Sequence, residues 1–212
     1  MPGDDFETYF HQRAGRFAAF YSSEPVARLL GRGPLFDRLR LATELASELG
    51  AASVLDVGCG SGPLFVPLAE KGVRVTGIDP AEAMVALARR QAATFPGLIE
   101  VRQASWEDID EVDAYDLAVA LGVFDYVAEP AELLRCMGRA ARHAVGSFPT
   151  PGFRTSLRKV RYGARGVGVH GYTPSRFERM ADEAGMEVAR VTPLGRAGHV
   201  VHFRRAARTS GL

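Results

Sequence analysis

The chain has 212 residues, enough for one α/β domain with a sizeable core, and 1–212 is read as a single domain. Its 47% hydrophobic and 24% charged residues are ordinary for a globular protein, and no apolar run reaches the length that spans a bilayer. Two cysteines, Cys59 and Cys136, belong to no Cys/His cluster, which excludes a disulfide scaffold and a structural metal site. Met1-Pro2-Gly3-Asp4-Asp5 is acidic and lacks an apolar signal core, so a cytoplasmic location is expected.

Residues 5–22 read as an amphipathic helix with Phe6, Tyr9, Phe10, Phe17 and Tyr21 available for burial, and a second helix is predicted over Pro34–Leu49. Strands and helices then alternate. Strands are expected at Ser53–Val57, Val73–Ile78, Leu98–Arg102, Tyr115–Leu121 and Ala144–Phe148. Helices are expected at Pro63–Lys71, where Pro67 weakens the first turns, at Pro80–Phe95 and at Pro130–Ala141, with a short turn at Trp106–Glu111. Residues 149–172, rich in Gly, Pro and Arg, break the alternation and read as an insertion. Thr173-Pro174 starts a further helix that Gly185 ends, and Met186–Val191 and Val200–Arg204 read as an antiparallel pair of strands. Such alternation implies a mostly parallel sheet with helices on both faces and a ligand at the carboxyl ends of its strands.

Charge is unevenly placed. From Leu133 to Phe177 there is no Asp or Glu, while Arg135, Arg139, Arg142, Arg154, Arg158, Lys159, Arg161, Arg165 and Arg176 fall within it. Such asymmetry marks a face for an anionic partner, or a solvated basic surface in a chain that prefers arginine throughout.

One loop carries the chemistry. Asp56-Val57-Gly58-Cys59-Gly60-Ser61-Gly62 follows a strand and opens a helix. Dinucleotide-binding loops use GxGxxG; here the third glycine comes one residue early. Asp56 would repel a pyrophosphate but suits an ammonium group.

Val54-Leu55-Asp56-Val57-Gly58-Cys59-Gly60-Ser61-Gly62 resembles motif I of class I S-adenosylmethionine (SAM)-dependent methyltransferases, and the likeness runs on to Asp79. It covers residues 50–148 well and the final helix and strand pair more loosely. It implies a Rossmann-like sheet of seven strands, mostly parallel with the last antiparallel, with an N-terminal helical cap. It also implies SAM as cofactor, held by Asp56, Gly58, Cys59, Gly60 and Gly62, with Asp79 on the ribose, Pro80 next to it in the site and Met84 beside the adenine. Asp79-Pro80-Ala81-Glu82 is equally a helix start in any protein, and Met84 equally a core residue. Ser105 stands where the family places an acid against adenine, so that contact is weakened, replaced or absent, and Trp106 is the neighbouring candidate. Leu121 and Gly122 lie where backbone carbonyls hold the SAM ammonium.

The resemblance also sets the acceptor side. Asp125 and Tyr126 follow the fourth strand, and His170 precedes the penultimate helix; these are the candidate catalytic residues. Each has a plain alternative: Asp125 as a turn cap, Tyr126 as packing, His170 as a structural histidine. The chain lacks the [Asp/Asn]-Pro-Pro-[Tyr/Phe] of exocyclic-amine DNA enzymes, and Cys136 lacks the preceding proline of cytosine-carbon enzymes. The expected acceptor is therefore a small molecule, methylated on oxygen or nitrogen. It would be anionic or borne on an acidic carrier protein, covered by residues 1–35 and 149–172 through Tyr21, Arg158, Arg161 and Tyr162. An RNA methyltransferase is the alternative, opposed by a net charge of only +1; a non-catalytic SAM or nucleotide binder is another. No membrane partner is expected, and a monomer or homodimer is.

Overall fold

A computed structural model of the chain describes residues 33–152 and 168–206. Most of the expected N-terminal cap, residues 153–167 of the insertion and the end of the tail lie outside the described residues.

The elements in order are α1 (Gly33–Glu48), β1 (Ser53–Val57), α2 (Phe65–Ala69), β2 (Arg74–Asp79), α3 (Glu82–Ala92), β3 (Ile99–Gln103), β4 (Tyr115–Ala120), α4 (Pro130–Ala140), β5 (Ala141–Pro149), α5 (Pro174–Ala184), β6 (Met186–Pro193) and β7 (Gly198–Arg205). A 3-10 turn at Trp106–Asp108 joins β3 to β4. The described strands form one sheet in the order β3-β2-β1-β4-β5-β7-β6. Strands β1 to β5 pair in parallel, and β7 inserts antiparallel between β5 and β6. The Rossmann-like sheet with an antiparallel last strand is therefore the fold this chain adopts.

Alternation along each strand divides the core in two. Val54, Leu117, Val119 and Val145 face α1 and α2, meeting Ala42, Leu45, Phe65 and Leu68. Leu55, Val57, Ala118, Ala120 and Ala144 face α4 and α5, meeting Leu133, Met137, Phe177 and Met180. Both faces are covered, which is why the central strands read as unbroken apolar runs.

Most boundaries shift by one to three residues from expectation, and the starts of α2, α3 and β5 do so for a traceable local reason. Helix α2 begins at Phe65, not Pro63, so that Pro67 falls in its first turn, where a missing N–H leaves no bond unmade. Helix α3 begins at Glu82 because the Asp79 carboxylate accepts the Ala81 N–H at 2.9 Å and holds Pro80-Ala81 in the approach. Strand β5 begins at Ala141, directly after α4. Arg205 makes that abrupt change possible: its Nε and Nη2 donate to the Gly138 carbonyl at 2.9 and 2.6 Å, and its Nη1 pairs with Asp113 at 2.6 Å. These bonds satisfy a carbonyl that the helix end leaves open. Arg205→Met is expected to lower unfolding free energy by about 2 kcal/mol in denaturant titration, the typical value for hydrogen bonds to a charged group.

Candidate functional site

The carboxyl ends of β2, β1 and β4 lie side by side, and the strand order reverses direction at β1/β4. A crevice forms at such a switch point, and the glycine loop leaves β1 there. Gly58 has φ of 66°, and a Cβ on it would lie 2.5 Å from Val123 Cγ2. Gly62 has φ of 81°, and its Cβ would lie 2.5 Å from the Phe65 ring. The loop is thus pressed against the segment after β4 on one side and against α2 on the other, and both contacts require glycine. The Cys59 N–H donates to Ile78 O at 2.9 Å and its side chain is buried. Burial pushes the thiol well up, so Cys59 offers the crevice only its backbone.

Two carboxylates stand under the loop. Asp79, at the end of β2, accepts the Gly60 N–H on Oδ2 and the Ala81 N–H on Oδ1, both at 2.9 Å. It therefore ties the glycine loop to the start of α3. A carboxylate has about four acceptor sites, so one group can hold the loop and also receive ligand hydroxyls. Pro80 accepts a bond from Gln103 Nε2 at 3.2 Å, fixing β3 to this corner, and Met84 is buried beside Ala81. Asp56 is buried, and burial, reinforced by the nearby Asp79 charge, pushes its carboxyl up to about 8. The Arg38 guanidinium opposes that rise.

Arg38 has no place in the sequence reading, yet α1 delivers it to this crevice. Its Nη1 lies 2.8 Å from where a Cβ on Gly122 would stand. Gly122 in turn donates its N–H to Ser147 Oγ at 2.8 Å, so buried Ser147 fixes the end of β4. Leu121 packs partly buried against the α1 side of the core. The crevice thus presents a buried carboxylate, a second carboxylate and a guanidinium around backbone amides and carbonyls.

At the far end of the crevice the Ser105 N–H donates to Asp108 Oδ2 at 2.8 Å, and its hydroxyl donates to Glu107. The acidic groups missing at position 105 are gathered around it from the same turn. Trp106 packs partly buried against the α4 side of the core.

On the other side, the loop after β4 meets the approach to α5. The His170 N–H donates to Asp125 O at 2.7 Å, bringing two of the three catalytic candidates together. Asp125 is buried, and Tyr126 sits in the same turn, its N–H on Val123 O at 2.9 Å. Tyr21, Arg158, Arg161 and Tyr162 lie outside the described residues. Among the described residues of the basic stretch, the arginines do not form one face. Arg135 pairs with Glu132 and donates to Glu183 O at 2.6 Å, and Arg139 donates to Ile109 O. Arg139 and Arg142 flank the amino end of β5, the edge opposite the crevice. Arg176, at the start of α5, holds its guanidinium 4.7 Å over the Tyr172 ring.

A family model described as Methyltransferase domain matches residues 9–191. The chain belongs to this family. It is 29% identical over 186 residues to a ubiquinone biosynthesis O-methyltransferase of Methylobacterium sp. (strain 4-46), covering 81% of this chain and 71% of that protein. A protein of the same description from Methylocella silvestris is 39% identical over 90 residues, 42% of this chain; the match spans only about a third, 35%, of that relative. Among solved structures, magnesium protoporphyrin IX methyltransferase from Synechocystis PCC 6803 with bound SAH superposes with a TM-score of 0.78 at 20% identity, over 95% of this chain and 98% of that one. The family's sheet is the one found here. Among the described residues no helix is long and apolar enough to cross a membrane, and no three His, Cys, Asp or Glu side chains gather as a metal site.

Proposed function

We propose that this chain transfers the methyl group of SAM to an oxygen of a small molecule. The observation that carries the reading is the crevice itself: glycines at which a side chain would collide, flanked by Asp56, Asp79 and Arg38. These groups match a ligand with an amino acid at one end and a ribose at the other. Asp79 takes the ribose hydroxyls, Asp56 faces the ammonium, and Arg38 takes the carboxylate. Gly58, Cys59, Gly60, Gly62, Leu121 and Gly122 supply backbone, and Pro80, Met84, Ser105 and Trp106 border the adenine. A dinucleotide fits poorly, because its pyrophosphate is repelled by Asp79 and brings no cation to meet the buried Asp56.

When bound, SAM would supply an electrophilic methyl on a sulfonium: an acceptor oxygen would take that methyl and lose its proton, and the S–C bond pair would stay with sulfur. The chain's task is alignment and exclusion of water. Asp125, Tyr126 and His170 border the acceptor, and the His170 imidazole is the group suited to take the proton. Tyr21, Arg158, Arg161 and Tyr162 are assigned to the acceptor from the sequence alone; their charge favours an anionic molecule, free or on an acidic carrier protein. Oxygen is preferred over nitrogen because the curated relatives are O-methyltransferases.

Methyl-labelled SAM, incubated with phenols, catechols, hydroxybenzoates and amines, tests the reading. Label is expected in a hydroxyl-bearing acceptor; transfer only to amines, or none above the enzyme-free control, would overturn it. Arg38→Ala is expected to weaken binding of S-adenosylhomocysteine roughly 10- to 100-fold by calorimetry, with Arg38→Lys intermediate, because a guanidinium grips a carboxylate in two places and an ammonium does not.

A further inference from the structure

We propose that the Tyr172 hydroxyl is a positioning group, latching the approach to α5 onto the loop after β4 so that Asp125 and His170 are held together. The inference rests on the methyl-transfer reading above, which makes those two residues the acceptor side.

Tyr172 is 0% exposed. A phenylalanine would fill the same aromatic cluster, and burying a hydroxyl is unfavourable unless it is bonded. Here it donates to Phe124 O at 2.8 Å, across 48 residues of sequence. Burial pushes the phenol well up, so it stays a neutral donor at any working pH. Phe124 immediately precedes Asp125, and two further backbone bonds run in parallel: His170 N–H to Asp125 O at 2.7 Å and Tyr172 N–H to Pro149 O at 2.8 Å. The ring is held as well. Phe148 meets it edge-on at 5.1 Å between centroids, and Arg176 covers it at 4.7 Å. Gly171 allows the close approach, since a Cβ there would lie 3.1 Å from Pro151 Cα. Of these bonds, the one from the phenol is the one a side-chain change can remove with the packing left in place.

Tyr172→Phe tests the latch, with Phe177→Leu as a packing control in the same cluster. In Tyr172→Phe, amide hydrogen exchange is expected to rise about tenfold at His170 and in the 124–126 turn, the scale of one lost hydrogen bond. Exchange at Cys59 and Gly60 should not change, and the Kd for S-adenosylhomocysteine should stay within about twofold. With the acceptor found above, kcat should fall while KM for SAM holds. Phe177→Leu should raise exchange across the α5 side of the core without that selectivity. Exchange in Tyr172→Phe that equals wild type, that spreads as in Phe177→Leu, or that leaves kcat unchanged would overturn the latch. Failure of the wild type to bind S-adenosylhomocysteine would instead overturn the methyl-transfer reading.

Discussion

Replacing Asp79 with alanine is expected to weaken binding of S-adenosylhomocysteine by at least about 100-fold. Two lost ribose bonds to a carboxylate, at about 1.5 kcal/mol or more each, account for that factor. The loss should be larger in practice, because Asp79 also holds the Gly60 and Ala81 amides at 2.9 Å. Without it the glycine loop keeps the Cys59 bond to Ile78 but loses the bond at Gly60, and the ligand has to order a looser loop as it binds. Asp79→Asn keeps one acceptor and should fall between. Calorimetry measures the affinity, and a thermal melt shows whether the apo protein stays folded. Wild-type affinity in Asp79→Ala would remove Asp79 from the cofactor site.

The second large effect is in pH. With its carboxyl pushed to about 8 by burial and by Asp79, Asp56 is protonated in the ligand-free protein at pH 7. An arriving ammonium favours the ionised form, so the complex holds one proton fewer than its separate parts. By linkage, affinity then rises with pH, roughly tenfold per unit, up to about pH 8, and falls beyond as the ligand's own amino group loses its proton. Calorimetry at pH 7 in buffers of different ionisation enthalpy should show about one proton released per ligand bound. Asp56→Asn should abolish both the release and the rising limb.

The apo protein carries the opposite trend. Asp56 has a folded-state pKa above its unfolded value, so its contribution to stability is present at acid pH. It is lost as pH rises from about 4 to about 8. Asp56→Asn should therefore bind poorly yet melt no lower than wild type at pH 8, a separation of affinity from stability. A proton release that persists in Asp56→Asn would place the titrating group elsewhere.

What the sequence made legible was local. Asp56, Gly58, Gly62 and Asp79 sit in contiguous runs at strand ends, where spacing and backbone demand are written in adjacent residues. Boundaries drifted where tertiary contacts decided them. Arg142 and His143 interrupt the apolar run, so β5 reads as starting at Ala144. Pairing with β4, which sets Ala141 beside Tyr115, and the Arg205 bonds to Gly138 draw it back to Ala141. Arg38 carried no signal, because an arginine within a helix is ordinary and only the packing of α1 over the end of β4 brings it to Gly122. Of the run of arginines, the four described ones are neighbours in sequence but not in space: Arg135 and Arg139 lie on α4, Arg142 near the amino end of β5 and Arg176 at the start of α5. His170 and Asp125 were each visible, but their meeting depends on Tyr172, whose hydroxyl looks from the sequence like any other.

The most direct measurement is a calorimetric titration of the full chain with S-adenosylhomocysteine and, separately, with NAD. S-adenosylhomocysteine is expected to bind one per chain with micromolar affinity, with no heat from NAD. Binding of NAD without S-adenosylhomocysteine would contradict the assignment of the crevice.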